Sequence, residues 1–269
     1  MTTLQDFLYT DDDIICSDKF LNYATTTNNQ CYLKTDFFII RRQFMWRNKI
    51  HPTTIKKNII VGHSDYSFIN DYVDIRYKYF VINNCSTKPN VYSIPLGVTN
   101  YCDDSLAHKI YGNNKLFFKI LQENKEIKNI IYMNFTIGTY PQVRQYVYDM
   151  CKDKDFVTNG SIDHSLEGRE KFLSAIYNHK FCLCPRGNGI DTHRLYEALY
   201  LKTIPIVVKH KTYDRLNDLP ILFIDTWDDI KNLTANDFNR IYDDIISKKY
   251  NMDKLKISFW LNFISENSS

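Results

Sequence analysis

Residues 181–208 constrain the fold more than any other part of this chain of 269 residues. An apolar run at Phe181–Cys184 is followed by Pro-Arg-Gly-Asn-Gly, which must turn because proline and glycine interrupt a strand. Asp191 or Thr192 can then cap a helix, and Ile204–Val208 is again rich in β-branched residues. The segment therefore predicts a strand, a glycine-rich turn, a helix and a second strand.

The predicted turn offers a site for an anion such as phosphate. The first backbone N–H groups of the helix behind it have no helical partners, and the helix dipole favours negative charge there. Arg186 adds a planar cation that fits phosphate oxygens, while Gly187 and Gly189 let the backbone approach a ligand. In the alternative interpretation, Arg186 is a surface residue in an ion pair, and the glycines and Asn188 only shape the turn.

The second half of the chain continues the alternation of strands and helices. Strands are predicted at Ile130–Phe135, Phe156–Thr158, Phe181–Cys184, Ile204–Val208 and Ile221–Ile224. Helices are predicted between them at Pro141–Cys151, Leu166–Asn178 and Asp191–Leu201. This order predicts an α/β fold with a doubly wound parallel sheet.

The first half contains further short apolar runs. They predict strands at Phe37–Ile40, Asn58–Val61, Tyr79–Asn83 and Val91–Ile94, followed by a lysine-rich amphipathic stretch at 105–129. Because residues 122–129 are polar and charged, we predict two domains, 1–125 and 126–269, that face each other across a cleft. Residues 234–263 predict two final helices, which can pack back on the first domain, and Thr234 with Asp237 forms a capping-box pattern.

Composition and charge exclude several classes of protein. With 34 basic and 31 acidic residues, the net charge of +3 argues against a nucleic-acid binder. An apolar run long enough for a transmembrane helix is missing, and the N-terminus lacks a signal-peptide core, so we expect a soluble, cytoplasmic protein. The seven cysteines do not show zinc-site spacing and are expected to be reduced core thiols.

Several segments resemble, in order, the exostosin-type glycosyltransferases. The most specific are Phe181-Cys-Leu-Cys-Pro-Arg-Gly187, Thr192-His-Arg-Leu-Tyr-Glu-Ala-Leu199 and Ile204-Pro-Ile-Val207. Upstream, the family resemblance extends to Ile59–Asp65, Tyr92–Gly97, Asn134-Phe135 and Arg144. Fucosyltransferases of the related two-domain class have a similar layout, so the transferred sugar is left open.

The resemblance implies a GT-B-like architecture, in which two Rossmann-like domains with parallel sheets face a cleft. It implies transfer of a sugar from a nucleotide-sugar donor, UDP- or GDP-linked, to a hydroxyl of a glycan or glycoconjugate acceptor. It also implies inversion at the anomeric carbon. We expect no cofactor and no metal, because no Asp-x-Asp motif follows a predicted strand.

In this interpretation the donor is held by residues at the turn and at the starts of two helices: Arg144, Arg186, Gly187, Asn188, Gly189, Thr192, His193, Arg194 and Glu197. Arg144, Arg186 and Arg194 would neutralise the diphosphate, which Thr192 and His193 could also contact, and Glu197 would bind the ribose hydroxyls. The alternative is an exposed charged helix face formed by Asp191, Arg194 and Glu197, opposite buried Leu195, Ala198 and Leu199.

An inverting transferase needs a base for the acceptor hydroxyl. Asp65 is our first candidate and His63 the second, because both follow the strand Asn58–Val61, and the alternative is that they form an Asx turn. Four aromatic residues of the first half could stack on sugars, but most are expected in the core: Trp46, Tyr66, Phe68 and Tyr72. Asp11–Asp13 is expected to be a solvated loop.

Two other functions fit the same phosphate-binding turn. One is a phosphatase or nucleotide hydrolase, which would need a nucleophile or metal-binding carboxylates near Arg186, and the sequence has no Walker motif. The other is a nucleotide- or sugar-binding module without catalytic activity. We predict the glycosyltransferase, because its motifs account for the turn and the helix together.

Overall fold

The computed structural model describes residues 1–27, 30–33, 58–62, 65 and 67–268. The strands are β1 Gln30–Leu33, β2 Asn58–Val61, β3 Lys78–Val81, β4 Val91–Ser93, β5 Asn129–Met133, β6 Val157–Asn159, β7 His179–Leu183, β8 Ile204–Val208 and β9 Leu222–Ile224. The helices are α1 Ser17–Thr26, α2 Leu106–Tyr111, α3 Lys115–Leu121, α4 Pro141–Cys151, α5 Leu166–Tyr177, α6 His193–Tyr200, α7 Ala235–Ser247 and α8 Ile257–Glu266.

The strands form two sheets, one in each half of the chain. The first sheet has the order β1-β2-β3-β4 and the second has the order β6-β5-β7-β8-β9. Every pair of neighbouring strands is parallel. The predicted α/β fold with two parallel sheets is confirmed, and the arrangement is consistent with a GT-B-like Rossmann-type fold.

The strand order of the second sheet fixes where a ligand can bind. Strand β5 is the first strand of the second sheet in the chain but lies between β6 and β7, so the chain adds β6 on one side of β5 and then crosses over to add β7 on the other side. In open α/β sheets, ligands bind outside the carboxyl ends of the strands at this point of reversal. The loops after β5 and β7 are therefore the expected walls of a site.

Most predicted elements are confirmed, and some keep their predicted bounds. Strands β2 and β8 and helix α4 have the predicted bounds, whereas the other predicted elements of the described residues differ at one or both ends. The stretch 105–129 forms two short helices, and the capping box of Thr234 and Asp237 starts α7. Helix α1 and strand β1 were not predicted, and the predicted strand Phe37–Ile40 lies outside the described residues.

Helix α6 is covered on more than one side, which corrects the exposed charged face considered above. Glu197 is only 4% exposed and Asp191, just before the helix, is only 3% exposed. One side of α6 faces the second sheet through Leu195 and Leu199, which are fully buried. At its end, the hydroxyl of Tyr200 accepts a hydrogen bond from the backbone N–H of Ile15. The N-terminal segment thus closes over the helix.

Specific hydrogen bonds join the two halves at the turn before α6. The Oδ1 atom of Asn83 accepts from the backbone N–H groups of Ile190 and Asp191, at 2.8 and 2.7 Å. In return, Asp191 accepts from the backbone N–H of Leu96 at 2.9 Å. These bonds fix the start of α6 against the first half of the chain.

The last helix, α8, contacts residues of the first sheet. The ring of Phe263 lies 6.0 Å from that of Phe80 and 5.9 Å from that of Tyr92.

The domain bounds 1–125 and 126–269 stay a prediction. No described helix combines the length and apolar character that crossing a membrane requires. The six described cysteines are free, and four of them are buried.

Candidate active site

A cleft of about 410 Å³ opens at the carboxyl ends of β5 and β7. Of the predicted donor residues, eight line it: Arg144, Gly187, Asn188, Gly189, Thr192, His193, Arg194 and Glu197. The first half contributes Asp65, Leu96, Thr99 and Tyr111 to the lining of the same cleft. The structure therefore brings both halves together around the predicted turn, while His63 lies outside the described residues.

A buried ion cluster forms the floor of the cleft. The Nη2 atom of Arg169 lies 2.7 Å from Oε1 of Glu197, and Nε of Arg194 lies 3.4 Å from Oε2 of the same carboxylate. The ring of Phe172 lies beneath both guanidinium groups, 5.3 Å from Arg169 and 4.3 Å from Arg194. Burial alone would raise the pKa of Glu197, but the two arginine charges outweigh it and hold the pKa below its usual value.

A third guanidinium reaches the cleft from α4. Arg144 donates from Nε to the carbonyl oxygen of Arg186 and from Nη1 to that of Thr136, both at 2.9 Å. Burial and the nearby charge of Arg194 lower its pKa to about 10, so it is still a cation at neutral pH. A Cβ at Gly187 would lie 3.2 Å from Nη2 of Arg144. The glycine thus leaves room for the arginine behind the turn.

Three buried donors in the cleft have no hydrogen-bond partner among the described residues. They are Nε of Arg169, Nε of Arg194 and Oγ1 of Thr192. The contact of Arg194 Nε with Glu197 is ionic and lacks hydrogen-bond geometry. Because an unsatisfied buried polar group is costly, these atoms suit a ligand that brings acceptor oxygens. A phosphate or diphosphate has that chemistry.

Arg186 differs in position from the other predicted donor residues. It is absent from the residues that line the cleft, although the rest of its turn is present there. Its Nη2 donates to the carbonyl oxygen of Asn188 at 2.9 Å, and its guanidinium stacks on the ring of Tyr140 at 4.3 Å. The side chain folds back onto its own turn, where its Nε also donates to the carbonyl oxygen of Gly187 at 3.3 Å. Arg186 braces the turn, and Arg144 and Arg194 face the cleft.

The other sequence-based candidates divide between the cleft and the core. Asp65 is exposed and lines the cleft. Phe68 is buried in a small core cluster and lies 5.3 Å from the ring of Tyr79, whereas Trp46 and Tyr66 lie outside the described residues. Asp11–Asp13 forms a short 3-10 helix without buried residues, as expected for a solvated segment.

Sequence reasoning missed Arg169, which is 2% exposed and completes the ion cluster. The periodicity of apolar residues in α5 could have indicated that Arg169 is buried. Arg169 precedes Leu173 and Ile176 by four and seven positions, so it lies on the face that these fully buried residues turn to the core. An arginine on a core-facing position requires a buried partner, which here is Glu197.

Asp191 makes the stability of the fold depend on pH. Burial raises its pKa to about 6, above the value near 3.9 of an unfolded chain. The folded state then holds the proton of Asp191 more tightly than the unfolded state does. The contribution of this proton to the free energy of unfolding is complete below about pH 4 and is lost as the pH rises through 6. We expect this effect to lower the free energy of unfolding of the wild type by about 2 kcal/mol between pH 4 and pH 7, and we expect it to be missing in Asp191→Asn.

Urea unfolding of both proteins at several pH values between 4 and 7 measures this effect. The difference between the two curves isolates Asp191, because the histidines titrate in both proteins. Parallel curves would contradict the assignment of a raised pKa to Asp191.

The described residues contain no group of three or more His, Cys, Asp or Glu side chains that could hold a metal ion together.

A comparison with protein families matches residues 131–220 to the Exostosin GT47 domain. The match begins in β5 and runs beyond β8, so it includes α4, α5, α6 and the turn after β7. A search of curated proteins found no match. The match covers 90 of the 269 residues and supports the resemblance of this chain to the exostosin-like GT47 glycosyltransferases.

Proposed function

We propose that this protein transfers a sugar from a UDP- or GDP-linked donor to a hydroxyl of a glycan or glycoconjugate. We further propose that the transfer inverts the anomeric carbon and uses neither a metal nor another cofactor. One observation carries the proposal: Arg169, Arg194 and Thr192 line the cleft, and each has a buried donor that makes no hydrogen bond to the residues that the structure describes. They lie within the segment that matches the family.

The arginines supply what the departing diphosphate needs. As the bond between the anomeric carbon and the phosphate oxygen breaks, negative charge collects on the diphosphate. Fixed cations and backbone N–H groups that are already oriented towards this charge lower the barrier. Arg144, Arg169 and Arg194 are held by hydrogen bonds or ion pairs before any ligand binds. Three guanidinium groups can therefore neutralise the leaving group without a divalent cation.

Glu197 has a different role in this proposal from the one that the sequence suggested. Both of its oxygens face arginines, at 2.7 Å from Arg169 and 3.4 Å from Arg194. A carboxylate used in this way positions the two guanidinium groups. We therefore assign Glu197 to the orientation of the phosphate-binding arginines, and its predicted contact with the ribose hydroxyls stays a prediction.

The acceptor approaches from the first half of the chain. Asp65, Leu96 and Thr99 of that half line the same cleft as Arg144, Arg169 and Arg194. This arrangement allows an acceptor hydroxyl to attack the anomeric carbon from the face opposite the diphosphate, as inversion requires. Domains 1–125 and 126–269 then correspond to the acceptor side and the donor side.

A thermal-shift screen against nucleotides and nucleotide sugars tests the proposal. A ligand at 100 times its Kd stabilises the folded state by about 2.7 kcal/mol, which raises Tm by roughly 5–10 °C in a chain of this size. We expect one class of donor to give such a shift, equally with and without EDTA, and to support transfer to an oligosaccharide panel.

Each other outcome has a defined meaning. If EDTA abolishes the shift, the metal-independent part of the proposal is wrong. If no nucleotide stabilises the protein, the whole proposal is wrong. Binding of a donor without turnover on any acceptor would indicate a binding module. Release of inorganic phosphate from a nucleotide would indicate a hydrolase.

A further inference from the structure

His193 lies between the two halves and has a defined tautomer. It is the first residue of α6, it lines the cleft, and its Nδ1 atom lies 2.7 Å from the carbonyl oxygen of Gly97. Because a carbonyl oxygen only accepts hydrogen bonds, Nδ1 carries the proton of the neutral ring. The other ring nitrogen, Nε2, therefore has a free lone pair, and no hydrogen bond reaches it from the residues that the structure describes.

The carbonyl that fixes this tautomer is itself rigidly placed. Gly97 has a φ of +74°, and a Cβ at this position would lie 2.1 Å from the carbonyl oxygen of Ile15. Only glycine fits such a position. The neighbouring residue, Leu96, is held by the hydrogen bond of its N–H to Asp191. The first half thus orients the His193 ring against the start of α6.

The tautomer decides which ligand atom His193 can meet. Burial lowers the pKa of His193 below its ordinary value, so the ring is neutral at pH 7. An ionised phosphate oxygen brings lone pairs only and repels Nε2. A sugar hydroxyl brings a proton that Nε2 can accept. The predicted contact of His193 with the diphosphate therefore fits this geometry less well than contact with a hydroxyl.

We propose that His193 is the general base of the transfer and that its Nε2 atom takes the proton of the acceptor hydroxyl. This inference rests on the proposed function. The acceptor oxygen forms a bond to the anomeric carbon with its own electron pair. The bond from that carbon to the phosphate oxygen breaks, and its electron pair leaves with the diphosphate. The hydroxyl proton remains on Nε2 and passes to solvent after the products leave.

The charges around His193 allow the ring to become a cation during this step. On its own helix it faces Glu197, whose charge raises the pKa of His193, and Arg194 follows it directly. Arg169 on α5 lowers the pKa, and Asp65, after β2, raises it. Asp191, two residues before His193, and Tyr196, three residues after it, are further titratable groups nearby in the chain and are hydrogen-bonded to each other. Asp65 then stabilises the imidazolium and is not itself the base.

His193→Asn tests the inference with little change to the fold. The amide nitrogen of asparagine can replace Nδ1 as the donor to Gly97, but nothing replaces Nε2. We expect the kcat of transfer to fall by 10²–10⁴-fold, the usual contribution of a general base. The Kd of the nucleoside diphosphate should stay within about threefold, because the arginines are unchanged. His108→Asn is the control, since that exposed histidine also contacts a backbone carbonyl through Nδ1, at 3.0 Å from Asn100.

The pH profile and a second variant complete the test. In the wild type, kcat should rise with pH through the pKa of His193 and then level off, and this acid limb should vanish in His193→Asn. Asp65→Asn should move the limb to lower pH, since losing the negative charge lowers the pKa of His193, and should reduce kcat by less than His193→Asn does. This exposed residue provides the test if His193→Asn fails to fold.

Three results would overturn the inference. The first is a kcat of His193→Asn within threefold of the wild type. The second is a loss of nucleoside diphosphate affinity equal to the loss of kcat, which would make His193 a phosphate ligand. The third is a larger loss in Asp65→Asn, which would make Asp65 the base. A wild-type protein that transfers no sugar from any donor would instead refute the proposed function and the inference together.

Discussion

Replacing Glu197 by glutamine is expected to lower the free energy of unfolding by about 3–5 kcal/mol. Glu197 is the carboxylate that neutralises the buried side chain of Arg169, which is 2% exposed, and it also contacts Arg194. The glutamine keeps the size of the side chain but removes the negative charge. The guanidinium of Arg169 then remains buried without a counter-charge, which is among the most costly changes in a protein interior.

Urea unfolding at pH 7 measures this loss. Glu167→Gln on α5 is the matched control, because Glu167 pairs with Lys171 at 2.6 Å but is 76% exposed. A pair so open to solvent is screened by water, so no measurable change is expected. The double variant Arg169→Met/Glu197→Met should recover part of the stability, since it removes the buried Arg169–Glu197 pair and leaves only Arg194 without its counter-charge. If Glu197→Gln unfolds like the wild type, the ion cluster does not contribute to stability.

The elements that sequence patterns predicted best are those with strong local signals. Strands β2 and β8 are short apolar runs beside polar or turn residues, and α4 starts with proline at its first turn, so local chemistry fixed their bounds. Helix α1 was missed because only two of its residues, Phe20 and Ala24, are buried. Two buried positions do not give a helical periodicity that can be recognised in the sequence. The predicted strand Phe37–Ile40 and the candidate base His63 stay predictions.

The candidate site shows where local patterns fail. The sequence placed Arg186 at the ligand because it lies in the turn, but a side chain in a tight turn reaches the carbonyl groups of its own turn first. Arg169, which the sequence analysis missed, lies 17 residues before Arg186 and reaches the cleft from α5, whereas Arg144 on α4 was predicted from the family resemblance. Helical periodicity likewise assigned α6 one buried face, since it cannot show that the first half of the chain covers the helix. Such contacts depend on tertiary structure, which only the fold reveals.

Arg194→Met is expected to reduce the kcat of sugar transfer by about 10²–10³-fold, the effect of removing one oriented donor from a site of developing charge. Arg194 is held at the point of strand reversal by three contacts, with the carbonyl oxygen of Asn134, the ring of Phe172 and the carboxylate of Glu197. Its Nε has no hydrogen-bond partner among the described residues. The guanidinium is therefore oriented before the donor binds, so its effect should appear in kcat as well as in donor affinity.

Arg194→Lys separates the charge from the geometry of the guanidinium. Lysine keeps the positive charge and preserves a counter-ion for Glu197, but it cannot form the planar fork or the same stack on Phe172. We therefore expect a kcat between those of the wild type and Arg194→Met, with thermal unfolding close to the wild type. Arg240→Met is the control, since Arg240 on α7 is 79% exposed and pairs with Asp237 away from the cleft. Removing a cation that stabilises a leaving group should lower kcat far more than threefold. If Arg194→Met therefore retains more than about a third of the wild-type kcat with unchanged donor affinity, the diphosphate binds elsewhere.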